Sequence, residues 1–288
     1  MNEKRRLSGV RLRKGLVVLA IFSFSVFGYH FYRNGTFEVG LKPIHSQAAI
    51  LIDTTGKTIA SKQKNKKIKP ASLAKIMTAI ITLEKTDNIY NIATVDTDKV
   101  IQLQNSGASM AGFQPGDQVT VRELLYGLML PSGADAAVSL AKHVSGSEET
   151  FVEEMNQKAK ELGMNRTHFT NSYGLDDKEQ YTTVADLALL TNYALKNGDF
   201  RAIFTSKFFQ DDQFVFYSTV FEKFGEISLR NGELLGGKTG YTEDAGLCLA
   251  SLAVIDGQEY ILVSVGAKGN HDTEQFNMTD AKMIYQSL

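Results

Sequence analysis

The sequence predicts an α/β fold in which a mainly antiparallel sheet is built from both ends of the chain, with a helical insertion between them. Stretches near both ends alternate in polarity or run continuously apolar, as strands do, whereas the middle has apolar residues at helical spacing. Of the 288 residues, 43% are hydrophobic and 22% charged, a composition typical of globular chains that bury a core. The net charge of -1 provides no general attraction to nucleic acid.

The N-terminus has the pattern of a membrane anchor. Residues 1–14 contain six basic side chains against Glu3, a charge of +5, so the remainder of the chain carries -6. No charged residue lies between Lys14 and Arg33, a length that spans a bilayer. The basic flank predicts a cytoplasmic N-terminus and a single membrane crossing. The predicted segments are a cytoplasmic stretch, a transmembrane anchor, a stalk and an extracytoplasmic catalytic domain, at 1–14, 15–33, 34–47 and 48–288.

A cleaved signal peptide is the alternative to this anchor. The small residues Ser23 and Ser25 would mark a cleavage site, but they lie inside the apolar run, which favours an uncleaved anchor. Cys248 is the only cysteine, so no internal disulfide can form, and exported domains without disulfides are common in bacteria. We therefore expect a bacterial cell-membrane protein. Cys248 lies in an apolar stretch, where an inert buried thiol is expected.

The elements of the domain follow from periodicity and turn signals. Two strands are predicted at 48–60 around a turn at 54–56, and the lysine-rich run 61–69 is interpreted as a solvated loop. The alternative for this run is attraction to an anionic surface or polymer outside the cell. Residues 88–120 are expected to be irregular, with weak strands. Helices are predicted at 70–84, 121–130, 134–146, 149–163, 183–198 and 272–288, and further strands at 214–218, 226–230, 246–255 and 259–267.

Two local signals define element ends. Asp256 and Gly257 are the residues of a tight hairpin turn between the last two strands. Thr182 or Thr183 is expected to cap the helix that follows it, because a threonine hydroxyl accepts hydrogen bonds from free N–H groups at a helix start. Strands at both ends with helices between them therefore belong to one folded unit.

Ser72 and Lys75 are three residues apart at the start of an amphipathic helix, in PASLAKIMTAIITLE. Residues at this spacing share one helix face. A neutral Lys75 can therefore take the hydroxyl proton of Ser72, provided that burial or a second cation lowers the lysine pKa. About one Ser-x-x-Lys is expected by chance in a chain of this length. By itself, the motif fits an ordinary amphipathic helix equally well.

Pro131, Ser132 and Gly133 form a break between two predicted helices. A hydroxyl held on such a corner can pass a proton from Lys75 to a leaving amine. The alternative role for Ser132 is to cap the following helix, and the two roles are compatible.

The stretch GGKTGYT, residues 236–242, combines glycines with Lys-Thr-Gly before an apolar strand. Glycines in a strand allow another backbone to come close, so a peptide substrate is expected to add as a neighbouring strand. Lys238 would provide positive charge for a substrate carboxylate and would help keep Lys75 neutral by repulsion. Thr239 would hydrogen-bond the same carboxylate. Lys-Thr-Gly is expected only about 0.1 times by chance, so it is the most specific of the three motifs.

The three motifs in this order are those of penicillin-binding proteins and class A β-lactamases. From about Ala48 to Gly269 the chain resembles serine-type D-alanyl-D-alanine carboxypeptidases of the low-molecular-mass penicillin-binding protein family. The resemblance lies in AAILIDTTGK, PASLAKIMTA, MNQKAKELGMNRTHFTNSYGL, YTTVADLA and GGKTGYTEDAGLCLASLA. It implies a penicillin-binding protein/β-lactamase-like transpeptidase fold. It also implies removal of the terminal D-alanine from peptidoglycan stem pentapeptides ending in D-Ala-D-Ala, without a cofactor.

The resemblance also implies residue roles. Ser72 attacks the carbonyl of the penultimate D-alanine, Lys75 is the base, and Ser132 relays the proton to the departing D-alanine. Backbone N–H groups of Ser72 and Tyr241 form the oxyanion hole. The substrate-binding residues implied by the third motif are Lys238, Thr239, Gly240 and Thr242. β-Lactam antibiotics are expected to acylate Ser72 and to leave it slowly.

The chain departs from the family pattern in two places. Ala134 stands where the family usually has asparagine, and alanine cannot contact Lys75 or a substrate amide. Loss of one such contact is worth roughly 1–3 kcal/mol, or about 10- to 100-fold in rate, so we expect a slower enzyme rather than an inactive one. Many relatives add a small β domain and an amphipathic helix at the C-terminus. This sequence has no room for both, and the N-terminal anchor is expected to replace that tether.

Three other functions are considered. A β-lactamase needs a carboxylate that activates the deacylating water, and Glu161 with Asn165 has a suggestive spacing, although Glu161 is better explained as a helix end stopped by Gly163. A non-catalytic binding or sensor module would agree with Ala134, but a cytoplasmic part of about 15 residues leaves little room for signal output. A metal-dependent peptidase is disfavoured, and no metal site is expected, because the histidines are scattered. They are His30, His45, His143, His168 and His271.

Overall fold

The computed structural model describes residues 39–41, 43–224 and 228–288. The predicted cytoplasmic segment and transmembrane anchor, 1–14 and 15–33, lie outside these residues, as does the first part of the predicted stalk. Within the described part of the chain, no helix combines the length and the apolar character needed to cross a membrane. The chain from Gly40 to Leu288 forms one compact unit.

An antiparallel sheet forms the centre of this unit, in the order β3 (Thr58–Lys62), β2 (Ala48–Asp53), β11 (Gln258–Ala267), β10 (Gly246–Ile255), β9 (Gly232–Thr242) and β8 (Ser228–Leu229). The first strands of the chain and the last ones meet in it, since β2 pairs with β11 and places Ile50 opposite Val263. This confirms the predicted sheet from both chain ends. The strands are β1 Val39–Gly40, β2 Ala48–Asp53, β3 Thr58–Lys62, β4 Ile92–Thr94, β5 Gln118–Thr120, β6 Phe208–Gln210, β7 Val215–Tyr217, β8 Ser228–Leu229, β9 Gly232–Thr242, β10 Gly246–Ile255 and β11 Gln258–Ala267.

The helical insertion lies between β3 and β8 and also contains two small two-stranded sheets, β4 with β5 and β6 with β7. The helix Val184–Ala194, α6, is capped by Thr183, whose side chain accepts the N–H of Asp186, as one of the two predicted alternatives requires. The helices are α1 Lys75–Lys85, α2 Thr97–Gln104, α3 Val121–Met129, α4 Ala134–Ser145, α5 Glu148–Glu161, α6 Val184–Ala194, α7 Gly198–Phe204, α8 Thr219–Phe224 and α9 Phe276–Tyr285.

Helix α2 lies in a region that the sequence predicts to be irregular. It begins where the Asp96 side chain accepts the N–H of Lys99, and only Val100 and Leu103 are buried on it. Two buried residues are too few to give a clear helical period, which is why the pattern misses this helix. By contrast, the predicted hairpin turn is confirmed, because Asp256 and Gly257 both have positive φ, at 48° and 77°.

Both faces of the sheet are covered. Alternate strand residues such as Ile50 and Val263 face the core formed with the helical insertion, whereas Leu51 and Leu262 face a second core closed by α9. Side chains that alternate along a strand point to opposite faces. The sheet is therefore held between two layers, and β9, which is next to the short edge strand β8, lies beside the start of α1.

The lysine-rich run 61–69 is only partly a solvated loop. Lys62 lies at the end of β3 and donates to the carbonyls of Ile44 and Ser46 at 3.0 and 2.7 Å. Lys69 donates to the carbonyl of Gln180 at 2.9 Å and also to that of Asp177. Each of these two ammonium groups therefore joins the run to another segment of the backbone. The pattern of lysines in the sequence does not reveal these contacts.

Candidate active site

Ser72 lies in a single 3-10 turn, Ala71–Ala74, that leads directly into α1 at Lys75. The predicted helix therefore begins with a tighter turn at the serine. Ala71 has a positive φ of 47°. Gly174, with φ of 91°, faces the Ala71 carbonyl so closely that a Cβ there would lie 2.0 Å from its oxygen. The loop that carries Gly174 thus presses against the turn and fixes where Ser72 stands.

Lys75 contacts Ser72 as the three-residue spacing predicts. Its Nζ lies 3.1 Å from Ser72 Oγ and 2.7 Å from the carbonyl oxygen of Tyr173. The side chain is only 2% exposed. Burial lowers the pKa of Lys75 to about 7, opposed by the negative charge of Asp135. A substantial fraction of Lys75 is therefore neutral near neutral pH and able to accept a proton.

Ser132 occupies a strained corner between α3 and α4. Its φ is 71°, in the left-handed region that non-glycine residues rarely adopt. Its Oγ is buried and has no hydrogen-bond partner among the described residues. Helix α4 begins at Ala134 with Gly133 at its N-cap and no capping side chain. The capping alternative for Ser132 is therefore wrong, and the hydroxyl is left for a group that enters the cavity.

Asp135, which none of the three sequence motifs includes, holds the wall beside Ser132. Its fully buried carboxylate accepts the backbone N–H groups of Ala111, Gly112 and Phe113, at 2.9 to 3.1 Å. The N–H of Ala134 donates to the Ser109 carbonyl at 2.8 Å. The only available signal was an acidic residue in the first turn after Pro-Ser-Gly, which by itself indicates helix polarity.

Strand β9 supplies the third motif. Lys238 is fully buried, and its Nζ donates to the Thr239 carbonyl at 2.9 Å. Its pKa lies well below the ordinary value because of burial, and because of repulsion from Lys75 and Lys223. Of the two causes predicted for the lowered pKa of Lys75, burial or a second cation, burial is the main one. Lys238 is the second cation of the site, and the two amines repel each other.

The glycines of this motif admit the protein's own backbone. A Cβ on Gly240 would lie 3.0 Å from the Ser72 amide nitrogen, and one on Gly236 would lie 2.3 Å from the Phe204 carbonyl oxygen. Close approach was predicted, but for a substrate strand. Within the described residues, β8 pairs only with the Gly232–Glu233 end of β9, so an edge for an added peptide strand remains along the rest.

Thr242 and Tyr241 close the end of β9. The Thr242 hydroxyl donates to Asp176 Oδ1 at 2.7 Å and accepts the N–H of Ala245 at 3.1 Å. Its hydroxyl therefore ties β9 to the loop that carries Tyr173. The Tyr241 ring meets the His271 ring edge-on, with centroids 5.1 Å apart.

Two cavities meet at Ser72. The smaller, of about 250 Å³, is lined by Ser132, Thr239 and Gly240, and the larger, of about 480 Å³, by Lys75 and Thr242. Both also contain Tyr241. The structure thus brings all but one of the predicted site residues to a single pair of cavities. Lys238 lines neither and lies behind the strand.

Other residues considered from the sequence lie away from these cavities or are inert. Glu161 ends α5 and pairs with Lys158, Asn165 is exposed, and neither lines either cavity. Cys248 is buried, which raises its pKa to about 12 and keeps the thiol protonated. No group of three or more His, Cys, Asp or Glu side chains suited to a metal ion occurs in the part of the chain that the structure describes.

Residues 36–269 match the model of the D-alanyl-D-alanine carboxypeptidase family, peptidase family S11. The chain belongs to this family. It is 34% identical over 232 residues to the D-alanyl-D-alanine carboxypeptidase DacF of Bacillus subtilis, which covers 77% of this chain and 57% of that relative. It is 33% identical over 226 residues to the D-alanyl-D-alanine carboxypeptidase of Streptomyces sp. K15, covering 72% and 75% of the two chains.

Solved structures of family members show the same fold. The DD-transpeptidase of Streptomyces K15 superposes with a TM-score of 0.76 at 27% identity, covering 84% of this chain and 96% of that one. Penicillin binding protein 6B of Escherichia coli gives a TM-score of 0.73 at 28% identity, covering 86% and 78%. The predicted penicillin-binding protein fold is therefore confirmed. The chain spans just over half the length of the Bacillus carboxypeptidase.

Proposed function

We propose that this protein is a serine D,D-carboxypeptidase that removes the terminal D-alanine from peptidoglycan stem pentapeptides through an acyl-enzyme on Ser72. The observation that carries the proposal is the Ser72–Lys75 pair. The hydroxyl and the amine are 3.1 Å apart, and burial lowers the pKa of Lys75 to about 7. Acyl transfer requires a nucleophile within hydrogen-bond reach of a base, and a lysine with this pKa is substantially neutral near neutral pH. Membership in the D-alanyl-D-alanine carboxypeptidase family supports the choice of substrate.

Acylation begins when Ser72 Oγ attacks the carbonyl carbon of the penultimate D-alanine while Lys75 accepts the hydroxyl proton. The peptide C–N bond then breaks, an ester to Ser72 forms, and the departing amine of D-alanine takes up a proton through Ser132. The buried Ser132 hydroxyl without a partner supports this relay, because a substrate amine would satisfy it. Water next attacks the ester, Ser72 regains its proton, and the shortened peptide leaves.

The oxyanion hole is formed by the backbone N–H groups of Ser72 and Tyr241. The closeness of Gly240 to the Ser72 amide supports this assignment, since it brings the end of β9 against the nucleophile turn. Thr239 hydrogen-bonds the substrate carboxylate, and Lys238 adds positive charge from behind the strand. A carboxylate in the cavity favours protonated Lys238, which in turn favours neutral Lys75.

β-Lactam antibiotics are inhibitors in this proposal, because a strained amide that acylates Ser72 keeps its leaving group tethered. An amine in place of water would give transpeptidation, the activity named for the Streptomyces K15 structure. Analysis of products with an added amine acceptor separates transfer from hydrolysis.

The experiment incubates the full chain with a peptide ending in D-Ala-D-Ala and follows free D-alanine, with the Ser72→Ala variant as control. Release that depends on Ser72 is expected. If labelled penicillin reacts with Ser72 but no D-alanine is released, the protein is a penicillin-binding module rather than a carboxypeptidase. Rapid turnover of the penicillin itself, faster than turnover of the peptide, would identify a β-lactamase.

We also propose that residues 15–33 anchor the protein in a bacterial cell membrane, with 1–14 in the cytoplasm and the catalytic domain outside. The uncharged run between Lys14 and Arg33, and the basic residues before it, support this topology. Added protease is expected to digest the catalytic domain in spheroplasts whose membrane is intact, while a cytoplasmic marker survives. Recovery of the full chain in the soluble fraction would contradict the anchor.

A further inference from the structure

Ser172 is held from two sides by contacts that take no part in the proton transfer described above. On one side, the Thr78 hydroxyl of α1 donates to the Ser172 carbonyl at 2.6 Å. On the other side, Glu148, the first residue of α5, accepts the backbone N–H and the hydroxyl of Ser172 through one carboxylate oxygen, at 3.1 and 2.9 Å. Ser172 and Thr78 are fully buried, and the Glu148 side chain is 9% exposed. Every polar group of Ser172 is therefore hydrogen-bonded, and its position is fixed.

The next residue, Tyr173, provides the carbonyl that accepts a hydrogen bond from Lys75 Nζ at 2.7 Å. A neutral lysine amine has two N–H bonds and one lone pair. When one N–H points at this carbonyl, the lone pair can face the Ser72 hydroxyl, 3.1 Å away. Ala134, which lines the same cavity, has no polar side-chain atom to offer Lys75. Among the described residues, the carbonyl and the nucleophile are the only hydrogen-bond partners of the amine, so the carbonyl sets the direction of its lone pair.

We infer that Glu148 is a positioning residue for the lysine base of the proposed reaction. Through Ser172 it fixes the Tyr173 carbonyl, and this carbonyl directs the lone pair of Lys75 to the nucleophile. The inference rests on the proposed carboxypeptidase function and adds a residue to its proton transfer. Glu148 lines neither cavity at Ser72, so it acts through the turn rather than on the substrate.

The rest of the turn is closed by side chains of its own loop. Asn171 Oδ1 accepts the N–H of Gly174 at 2.6 Å, and Asn171 Nδ2 donates to the Leu175 carbonyl at 3.1 Å. Gln180 Nε2 donates to the same carbonyl at 2.7 Å. A turn closed in this way moves as one body, so a shift of its attachment to Glu148 also displaces the carbonyl that the base contacts.

Glu148 acts by its hydrogen bonds rather than by its charge at Lys75. The charge that opposes the lowered pKa of Lys75 is that of Asp135. The Glu148 carboxylate is paired with Lys99 on α2 at 3.4 Å. Its charge acts on the Tyr173 phenol instead, where burial, with a smaller contribution from this carboxylate, raises the pKa to about 12. A neutral amide of the same length is therefore expected to replace Glu148, because its oxygen can accept the same two hydrogen bonds.

The experiment measures two rates in the full chain: labelling of Ser72 by a penicillin at increasing concentration, and D-alanine release from a peptide ending in D-Ala-D-Ala. In Glu148→Ala, the maximal labelling rate and kcat/KM for release are expected to fall about 10- to 100-fold, because a reacting group displaced by about 1 Å loses up to about 10²-fold in rate. The penicillin concentration that gives half the maximal rate should change less than about threefold, since Glu148 lies outside both cavities.

Two conservative variants separate the reach of the side chain from its charge. Glu148→Gln keeps the acceptor in place without the charge and should remain within about threefold of wild type. Glu148→Asp keeps the charge but withdraws the acceptor by one methylene, and its labelling rate should fall in the direction of the alanine variant. Glu153→Ala is the control on the same helix. It removes an exposed carboxylate that has no hydrogen bond to the turn in the described part of the chain, and it should leave both rates unchanged.

A double-mutant cycle shows whether Glu148 acts through the base. In the Lys75→Met background, Glu148→Ala should lower the remaining labelling rate by less than about threefold, because no lone pair is left to direct. A residue that only supports the fold, or that acts on the turn at Ser72, would lower the rate by the same factor in both backgrounds.

The outcomes separate this inference from the proposed function. Ser72-dependent release by wild type, with an unchanged labelling rate in a folded Glu148→Ala variant or equal factors in the two backgrounds, would overturn the inference alone. A greater loss in Glu148→Gln than in Glu148→Asp would also overturn it, because the charge would then matter more than the acceptor. No Ser72-dependent release by wild type would overturn the proposed function and the inference with it. If Glu148→Ala does not unfold cooperatively, Glu148→Asp takes its place in the cycle and is judged by the same factors.

Discussion

The two walls of the cleft at Ser72 are built in opposite ways. On the sheet wall, Lys238 and Thr239 are consecutive residues of β9, and both have their polar side-chain atoms hydrogen-bonded. On the helical wall, Ser132 has a buried hydroxyl without a partner, and Ala134 has no polar side-chain atom. The position of each side chain on the sheet wall is thus set by the register of β9, whereas the Ser132 hydroxyl on the helical wall has no hydrogen-bond partner among the described residues.

The helical wall is held from behind by a single carboxylate. Asp135 accepts three consecutive backbone N–H groups and so anchors residues 111–113 beside the break at Ser132. An unsatisfied buried hydroxyl costs about 1–3 kcal/mol, and a non-glycine residue at positive φ costs about the same. The comparison shows where strain is concentrated: on the wall that carries Ser132 rather than on the wall that carries Lys238 and Thr239.

The largest expected effect lies between the walls, at Lys75. Lys75→Met retains most of the volume of the buried side chain but removes the base, so kcat/KM for D-alanine release should fall about 10²- to 10⁴-fold. Steady-state kinetics with a D-Ala-D-Ala peptide measure the loss, and thermal unfolding checks that the fold is kept. Substantial activity in a folded Lys75→Met variant would mean that another group takes the Ser72 proton.

The pH dependence of acylation should report the same group. The pKa of Lys75 is lowered to about 7, and only its neutral form accepts a proton. Below that pKa, kcat/KM should therefore fall about tenfold per pH unit, and above it the rate should level off. Rates of Ser72 labelling by a penicillin give an independent profile. A profile that is flat between pH 5 and 8 would contradict a lysine base with this pKa.

Ser132→Ala tests the difference between the walls directly. Removal of the proton relay should lower kcat about 10- to 100-fold, while the free energy of unfolding should not fall, because the lost hydroxyl has no partner. Thr239→Val on the sheet wall is the matched comparison. It breaks the hydrogen bond to Thr219 and should lower the free energy of unfolding by about 1 kcal/mol. An equal decrease in the free energy of unfolding in both variants would contradict the proposed difference between the two walls.

The sequence predicts the sheet wall better than the helical wall. The interpretation of GGKTGYT as strand residues predicts the second half of β9, and the three-residue spacing predicts the contact between Ser72 and Lys75. Those features are local in sequence. The contact of Lys75 with the Tyr173 carbonyl joins residues 98 positions apart, and nothing in the local pattern indicates it.

The same limit explains the remaining differences. The Asp135 anchor and the contact between Glu148 and Ser172 depend on how segments from different elements meet, which periodicity does not describe. Ser132 at a helix break fits a cap as well as a proton relay, and only the structure, in which Gly133 is the N-cap of α4, rules out the cap. In this protein, a contact in the site can thus be predicted from the sequence when one helix or strand carries both of its residues.

The smallest expected effect is that of restoring an amide on the helical wall. Ala134 is the first residue of α4 and lines the larger cavity together with Lys75 and Tyr173. An asparagine side chain at this position can extend into open space towards the lysine. Ala134→Asn should therefore not lower D-alanine release, and a gain of up to about 10- to 100-fold is the upper bound set by one polar contact.

Ala134→Leu is the matched control, because leucine has the same number of side-chain heavy atoms and the same branching as asparagine but no amide. If the asparagine variant is at least as active as wild type while the leucine variant is not faster, the amide itself acts on Lys75 or the substrate. Equal gains in both variants would assign the effect to the shape of the cavity. A drop in D-alanine release in a folded Ala134→Asn variant would show that this helical wall works with alanine, and that its proton-transfer geometry leaves no room for the usual asparagine.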